Sequence, residues 1–179
     1  MLKKKSLIII AFIVIGIIFV ISPPTLGIKH TDMLIAPHSL DELTNYSYSI
    51  LIGRVTGISS VLGDPKFVDA SIEVVKFLKN PLDKETIGVR TIKSSYKEFI
   101  YEVRYSSIVD FKIDERVLLF LGEPNPSYIY GDNCLVFGVH QGKVLLENGF
   151  AYYNFGKGGK GNSTEIDFVK SVTDCLNSP

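Results

Sequence analysis

Short segments of alternating or continuous apolar residues fill the chain between residues 49 and 155, and turn residues separate them. Segments of this kind, rich in β-branched and aliphatic side chains, are typical of β-strands. Residues 62–66 (LGDPK) and 147–149 (ENG) have the composition of tight turns between strands. The predicted strands are 49–58, 67–77, 86–91, 117–121, 134–140, 143–146 and 150–155.

Residues 117–121 (VLLFL) contain no polar side chain. An antiparallel strand with one face in water normally has a polar residue at every second position, so this strand is predicted to be buried on both faces. We expect Leu119 and Leu121 on one face and Leu118 and Phe120 on the other. The segment 92–112 is compatible with either an extended strand or a helix.

Two short helices are predicted at the ends of this β-rich region. Residues 39–42 (SLDE) have the form of a capping box and open a helix over 39–46, with Leu40 and Leu43 turned inward. A second helix is predicted over 164–176, because apolar residues recur along one side of it. The fold class is therefore mainly β, a small barrel or sandwich with a helix before it and a helix after it.

The N-terminus carries a different pattern. Three lysines precede the segment from Leu7 to Ile21, which has fifteen residues and no polar side chain. As a helix it is about 22 Å long, shorter than a ~30 Å hydrocarbon core. It is an uncleaved membrane anchor or a signal peptide cleaved after Gly27, and both interpretations export the rest of the chain. The predicted organisation is 1–27 anchor or signal, 28–38 linker and 39–179 domain.

The charge of the chain argues against a nucleic-acid partner. The whole sequence has no net charge, and residues 28–179 carry 16 Lys and Arg against 19 Asp and Glu, a net charge of −3. Nucleic-acid binding proteins normally carry a basic surface, so no nucleic-acid partner is expected. The expected partners are the membrane, through Leu7 to Ile21, and an extracellular protein or glycan.

Two cysteines and two sequons bear on the exported state. In an oxidising compartment Cys134 and Cys175 are predicted to form one disulfide, which would close a loop of about 40 residues and contribute roughly 4 kcal/mol. The alternative is two buried thiols that never meet. Asn45 and Asn162 each begin an Asn-x-Ser/Thr sequence, a possible glycosylation site.

No motif in the sequence predicts catalytic, cofactor-binding or metal-binding residues. Residues 156–161 (GKGGKG) match the glycine fingerprint of dinucleotide sites, but only 18 residues follow, too few for the rest of that fold. A flexible linker is predicted there; a modest anion site at Lys157, Lys160 and the next helix N-terminus is the alternative. The acidic residues Asp110, Asp114 and Glu115 are expected in a solvated turn.

Histidines and tyrosines complete the candidate residues. The chain has three histidines, His30, His38 and His140. Their spacing is not that of metal ligands. The tyrosines could stack on a sugar or a peptide, and they are Tyr46, Tyr48, Tyr96, Tyr101, Tyr105, Tyr128, Tyr130, Tyr152 and Tyr153.

Four segments carry a resemblance to a known family: ILIGRVTGI, ASIEVVKFLKNP, DERVLLFL and GVHQGKV. Over residues 39–155 the chain resembles exported prokaryotic domains related to the tissue-inhibitor-of-metalloproteinase and netrin-like module. The resemblance implies an OB-like β-barrel with packed helices. The true inhibitors chelate the protease zinc through an N-terminal cysteine, whereas the first cysteine here is Cys134. That mechanism is therefore not expected.

Three functions are compatible with these observations. The first is a non-enzymatic binding domain displayed outside the membrane. The second is a protease inhibitor of non-chelating type that inserts loop 62–66 or loop 123–133 into its target. The third is a hydrolase whose site matches no known motif.

Overall fold

The structure, a computed structural model, describes residues 27–31, 38–98, 101–105, 108–124, 132–155 and 159–178. The predicted apolar helix, from Leu7 to Ile21, lies outside these residues, and no helix among those described is long and apolar enough to cross a membrane. The helices are α1 (Leu40–Tyr46) and α2 (Glu165–Asn177). The strands are β1 (Gly27–Thr31), β2 (Ser49–Ser60), β3 (Phe67–Lys79), β4 (Thr86–Ile92), β5 (Ser95–Glu98), β6 (Tyr101–Tyr105), β7 (Arg116–Leu121), β8 (Lys143–Glu147), β9 (Phe150–Asn154) and β10 (Lys160–Thr164).

The strands of the described residues form two sheets. Seven of them make an antiparallel sheet in the order β10-β9-β8-β7-β2-β3-β4, and the other three make a sheet in the order β1-β6-β5. Strand β1 pairs parallel with β6, so part of the segment predicted as a linker is a strand. The ambiguous segment 92–112 contains β5 and β6, which pair antiparallel. The mainly β class with two flanking helices is confirmed.

Strand β7 is buried on both faces, as its sequence predicts. Every side chain from Val117 to Leu121 is fully buried. The strand lies between β2 and β8, near the middle of the large sheet. Leu119 and Leu121 face one hydrophobic core, and Leu118 and Phe120 face another on the opposite side of the sheet.

The two cores are covered by different parts of the chain. The first core, which contains Leu51, Ile72, Val89 and Leu119, is completed by Val109 and Phe111 of the loop before β7 and by Cys134 and Val136. The second core, on the other face, is completed by the two helices. Their buried side chains in that core are Leu43, Phe168 and Val172.

The large sheet is not closed, because β10 and β4 at its two ends do not pair with each other.

The prediction of a strand over 134–140 is wrong. Residues Cys134 and Val136 make only isolated bridges, parallel to Val89 of β4 and antiparallel to Leu121 of β7. The extended conformation then ends, because Gly138 and Val139 have positive φ angles of 66° and 52° and a 3₁₀ turn, Val139–Gly142, follows.

A glycine in β2 allows the sheet to bend. Strand β2 has three irregularities in its register with β3, one of them between Ile52 and Gly53, and such bulges increase local bend and twist. A Cβ atom at Gly53 would lie 2.5 Å from Cγ2 of Ile72 and 2.7 Å from the carbonyl oxygen of Glu73. The IGRV segment therefore contains glycine because the neighbouring strand passes too close for a side chain.

A lysine fixes α1 to the end of β3. The Lys79 Nζ atom donates hydrogen bonds to the carbonyl oxygens of Thr44, Asn45 and Ser47 at distances of 2.7–2.9 Å. A cation at this position compensates the unpaired carbonyl groups at the helix C-terminus. Helix α1 begins at Ser39 with the predicted capping box, in which Glu42 also takes part. Both ends of this short helix are thus satisfied by side chains.

Burial of β7 on both faces has a direct consequence for stability. We expect Leu119→Ala and Phe120→Ala each to lower the free energy of unfolding by about 2–5 kcal/mol, because each leaves a cavity in a different core. Glu73 and Lys76 are exposed on β3, and Glu73→Ala and Lys76→Ala are expected to change it by under about 0.5 kcal/mol. Chemical denaturation of the purified protein measures all four. A loss below about 1 kcal/mol for either core variant would contradict burial on both faces.

Candidate binding cleft

A cleft of about 400 Å³ lies where the large sheet extends beyond the cover of its first core. Strands β8, β9 and β10 form its floor, and the loop containing Ile108 and Asp110 forms one wall together with His140. We call it the β8–β10 cleft. The side chains of the floor come from the face of these strands that is opposite to the second core, because Val144, Leu146 and Ala151 point into that core.

Side chains on the floor form two rows across the strands. In the first row Leu145 pairs with Tyr152, and Tyr152 pairs with Asn162. In the second row Asn154 pairs with Lys160. The Tyr152 side chain is 41% exposed. The cleft therefore presents an aromatic surface with an aliphatic neighbour on one side and polar groups around it.

Lys143 holds the wall of the cleft in place. Its Nζ atom donates to Glu115 Oε1 at 2.5 Å and to the backbone carbonyl oxygen of Asp110. The same Nζ atom lies 4.8 Å from the ring centroid of Phe111. Lys143 and Glu115 are 14% and 11% exposed, so their charges compensate each other in a largely buried position. The ion pair ties the loop before β7 to the start of β8.

The charges of the remaining side chains in the cleft are balanced. Lys160 and Asp110 both line it, and both residues are exposed. Because the positive charge of Lys143 is already compensated by Glu115, the cleft as a whole has little net charge from these groups. Strong electrostatic attraction of a polyanion is therefore not expected of it.

The glycine-rich segment 156–161 has a structural role at its described end. Gly159 has a φ angle of 68°, in the left-handed region. A Cβ atom at Gly161 would lie 2.5 Å from the Tyr153 ring, which stacks on Phe155 and Phe168. Lys160 and Gly161 belong to β10 rather than to the predicted linker. Gly156, Lys157 and Gly158 lie outside the described residues.

The N-terminus of α2 is already satisfied by the chain itself. Thr164 Oγ1 accepts a hydrogen bond from the backbone N–H of Asp167, and the N–H of Glu165 donates to the carbonyl oxygen of Gly149. Two acidic residues, Glu165 and Asp167, lie in the first turn. These contacts do not favour the alternative of an anion site at this helix end.

The predicted disulfide is not formed: Cys134 and Cys175 are both free thiols. Cys134 is buried in the first core, and Cys175 lies on α2, which covers the opposite face of the sheet. A disulfide needs Cα atoms within about 7 Å of each other, and here the sheet separates the two residues. Burial raises the pKa of Cys134. Burial, together with the hydrogen bond that Sγ donates to Asp41 Oδ1 at 2.9 Å, raises the pKa of Cys175 to about 11.

The two sequons occupy different surroundings. Asn45 is exposed on α1, but the hydroxyl of Ser47, the third residue of that sequon, is buried and donates to the carbonyl oxygen of Leu43. Asn162 lies on β10 and lines the β8–β10 cleft. Glycosylation of either asparagine stays a prediction.

The other candidate side chains are dispersed over the molecule. The His38 ring packs against Phe137, and the backbone N–H of His38 donates to Gln141 Oε1, whereas His140 lines the cleft. Asp114 forms a long ion pair with Arg54 in the turn before β7. Of the tyrosines, Tyr152 lies on the floor of the cleft, whereas the ring of its neighbour Tyr153 packs against the second core. Tyr46 and Tyr48 are exposed near α1, and Tyr96 lies under Lys66. His30, Tyr101 and Tyr105 lie in β1 and β6, and Tyr128 and Tyr130 lie outside the described residues.

The turn between β2 and β3 presents one apolar side chain. Leu62 is fully exposed at the tip of this hairpin, next to Gly63 with a φ angle of 83°. The turn is held by a hydrogen bond from the backbone N–H of Lys66 to Asp64 Oδ1 at 3.0 Å. Of the second predicted insertion loop, 123–133, residues 125–131 lie outside the described part.

No protein-family model matches this chain, and no curated protein sequence matches it.

The surroundings of Cys175 lead to a prediction about its reactivity. Because burial and Asp41 keep Cys175 in the unreactive thiol form, we expect slow alkylation of Cys175 at pH 8. Asp41→Asn removes the second of these two causes, and we expect it to react severalfold faster. Asp83→Asn, a change in the turn between β3 and β4, is the matched control and should have no effect. Mass spectrometry of alkylated, unreduced protein measures both rates. A peptide pair linked through Cys134 and Cys175 would instead support the disulfide.

Proposed function

We propose that this chain is an extracytoplasmic binding domain without catalytic activity, whose ligand occupies the β8–β10 cleft. The segment from Leu7 to Ile21 provides a membrane anchor or, alternatively, belongs to a signal peptide cleaved near Gly27. The observation that carries the proposal is the cleft itself: an exposed aromatic side chain, Tyr152, lies on a hydrogen-bonded sheet among a few polar groups. Small-molecule sites commonly combine an apolar surface with a small number of placed polar side chains.

An OB-like arrangement of the first core belongs to the same proposal. Strands β7, β2, β3 and β4 are consecutive neighbours in the large sheet. The backbone of residues 134–137 connects β4 with β7: Cys134 exchanges hydrogen bonds with Gly88 and Arg90, and Phe137 N–H donates to the carbonyl oxygen of Phe120. These contacts support a small, partly open barrel around the first core, as the resemblance of residues 39–155 implies. OB-type barrels are commonly binding modules.

The position of the nucleophilic side chains supports binding rather than catalysis. Cys134 is enclosed in the first core, and Cys175 is far from the cleft and hydrogen-bonded to Asp41. In the cleft, Lys143 is engaged by Glu115. The side chains that reach the cleft with exposed polar groups are suited to holding a ligand, and they include Asn162, Lys160 and Asp110.

A protease inhibitor is the second candidate function, and the exposure of Leu62 favours it. A single apolar side chain at the tip of a long, hydrogen-bonded hairpin has the form of a residue that enters a pocket of a partner. The adjacent strands β2 and β3 have 12 and 13 residues and would support such a loop rigidly. This candidate uses residues far along the chain from those of the cleft, so substitutions separate the two.

A calorimetric screen of the purified protein against oligosaccharides, peptides and secreted proteases tests the proposal. We expect a ligand whose affinity falls at least tenfold in Tyr152→Ala and is unchanged in Leu62→Ala. Tyr48→Ala is the matched control, because Tyr48 is 40% exposed, nearly the same as Tyr152, and lies outside the cleft.

Two results would contradict the proposal, the first its site and the second its lack of catalysis. A protease complex that Leu62→Ala abolishes and Tyr152→Ala preserves would assign the function to the hairpin. Turnover of an ester, glycoside or peptide by the purified protein, lost in a variant of the cleft, would show a hydrolase.

A further inference from the structure

We infer that the β8–β10 cleft binds a neutral saccharide of about two rings, an inference that rests on the proposed binding function. Among the described residues that line the cleft, Val109 and Tyr153 also pack in the two cores, and Lys143 is paired with Glu115. The exposed side chains on its floor and rim are therefore available to a ligand. Their geometry, their hydrogen-bonding capacity and their charge each bear on the class of that ligand.

The geometry fits a flat ligand with an apolar face. Leu145, Tyr152 and Asn162 are direct neighbours on three adjacent strands. Since adjacent strands lie about 4.8 Å apart, this row extends over roughly 10 Å. A sugar ring can place its C–H face on the tyrosine ring, and a second ring can reach the next strand. The cleft volume of about 400 Å³ accommodates such a molecule.

The polar groups around Tyr152 match the hydroxyl groups of a sugar. A hydroxyl both donates and accepts a hydrogen bond, and so does the side-chain amide of asparagine. Asn162 lies beside Tyr152 in the same row, and Asn154 and Lys160 lie opposite each other in the next row. Asp110, a residue of the wall, has an acceptor carboxylate, and Lys160 has a donor ammonium group. Hydroxyls pointing in several directions can thus all be paired.

The charge of the cleft favours a neutral ligand. Lys160 and Asp110 contribute opposite charges, and the charge of Lys143 is compensated by Glu115 at 2.5 Å. An acidic saccharide or a phosphorylated ligand would gain from Lys160 but would meet the carboxylate of Asp110. A neutral saccharide can use both groups as hydrogen-bond partners, at no cost from repulsion.

Asn162, the first residue of the second sequon, cannot both carry a glycan and bind a ligand in the cleft. A glycan attached to Asn162 would occupy the cleft and remove the amide donor that the ligand needs. The inference therefore requires that Asn162 is unmodified in the native protein. Glycosylation at Asn45, on α1, would leave the cleft open.

Binding of purified full-length protein to an array of neutral and acidic oligosaccharides, followed by calorimetric titration of the best of them, tests the inference. The detergent must have no sugar headgroup, since such a headgroup would compete for the cleft. We expect a neutral di- or oligosaccharide to bind, with affinity lowered at least tenfold in Tyr152→Ala and about fivefold or more in Asn162→Ala. Tyr48→Ala should bind within twofold of the native protein. Both variants in the cleft change exposed side chains, and thermal unfolding of each checks that the fold is kept.

The possible failures can be told apart. If peptides rather than saccharides bind in a Tyr152-dependent manner, the saccharide inference is wrong and the proposed binding function stands. If acidic saccharides bind and neutral ones do not, the assignment of a neutral ligand is wrong. If nothing binds in a Tyr152-dependent manner, both the inference and the cleft function are wrong. A glycan found on Asn162 of the native protein by mass spectrometry also overturns the inference.

Discussion

The burial of β7 on both faces is the constraint on which the rest of the structure depends. A strand with the sequence VLLFL has apolar side chains on both faces, so other parts of the chain must cover both faces of the sheet that contains it. The loop before β7 and the segment around Cys134 cover one face, and the two helices cover the other. Because the first cover ends at Val109 and Phe111, the strands beyond it keep one face open, and that face is the floor of the β8–β10 cleft.

A few polar contacts fix each cover to the sheet. Lys143 binds the loop before β7 through Glu115 and the carbonyl oxygen of Asp110, and Lys79 binds the C-terminus of α1. Arg116 at the start of β7 pairs with Glu165 at the start of α2. These side chains do not supply the main stabilisation, which comes from the apolar cores. They set where the covers lie, and therefore where the open face of the sheet begins.

The sequence predicts the parts of this fold that local chemistry decides. The capping box at Ser39 and the apolar residues of β7 each depend on neighbours within a few residues, and both are confirmed. The strand predicted over 134–140 is wrong because apolar residues continue past the point where Gly138 and Val139 turn the backbone. Strand β10 was not predicted because residues 160–164 (KGNST) have no apolar alternation, and it forms by pairing with β9.

The candidate cleft could be predicted only in fragments. The sequence indicates the tyrosines as possible stacking surfaces and Asn162 as the first residue of a sequon, but nothing local places Tyr152 beside Asn162. Their adjacency follows from the register of β9 with β10, which the sequence pattern does not reveal when one strand is unrecognised. The disulfide prediction is incorrect in this structure for a similar reason: spacing along the chain does not show that a sheet lies between Cys134 and Cys175.

Native-state hydrogen exchange of the purified protein tests the central role of β7 most directly. If β7 is covered on both faces, the hydrogen-bonded amides of β2 and β7 should exchange only through global unfolding, with the same free energy that chemical denaturation gives. Amides of the short strands β5 and β6 should exchange faster, through local opening. The account is contradicted if the amides of β7 exchange as readily as those of β5, since one of its faces would then be open to water.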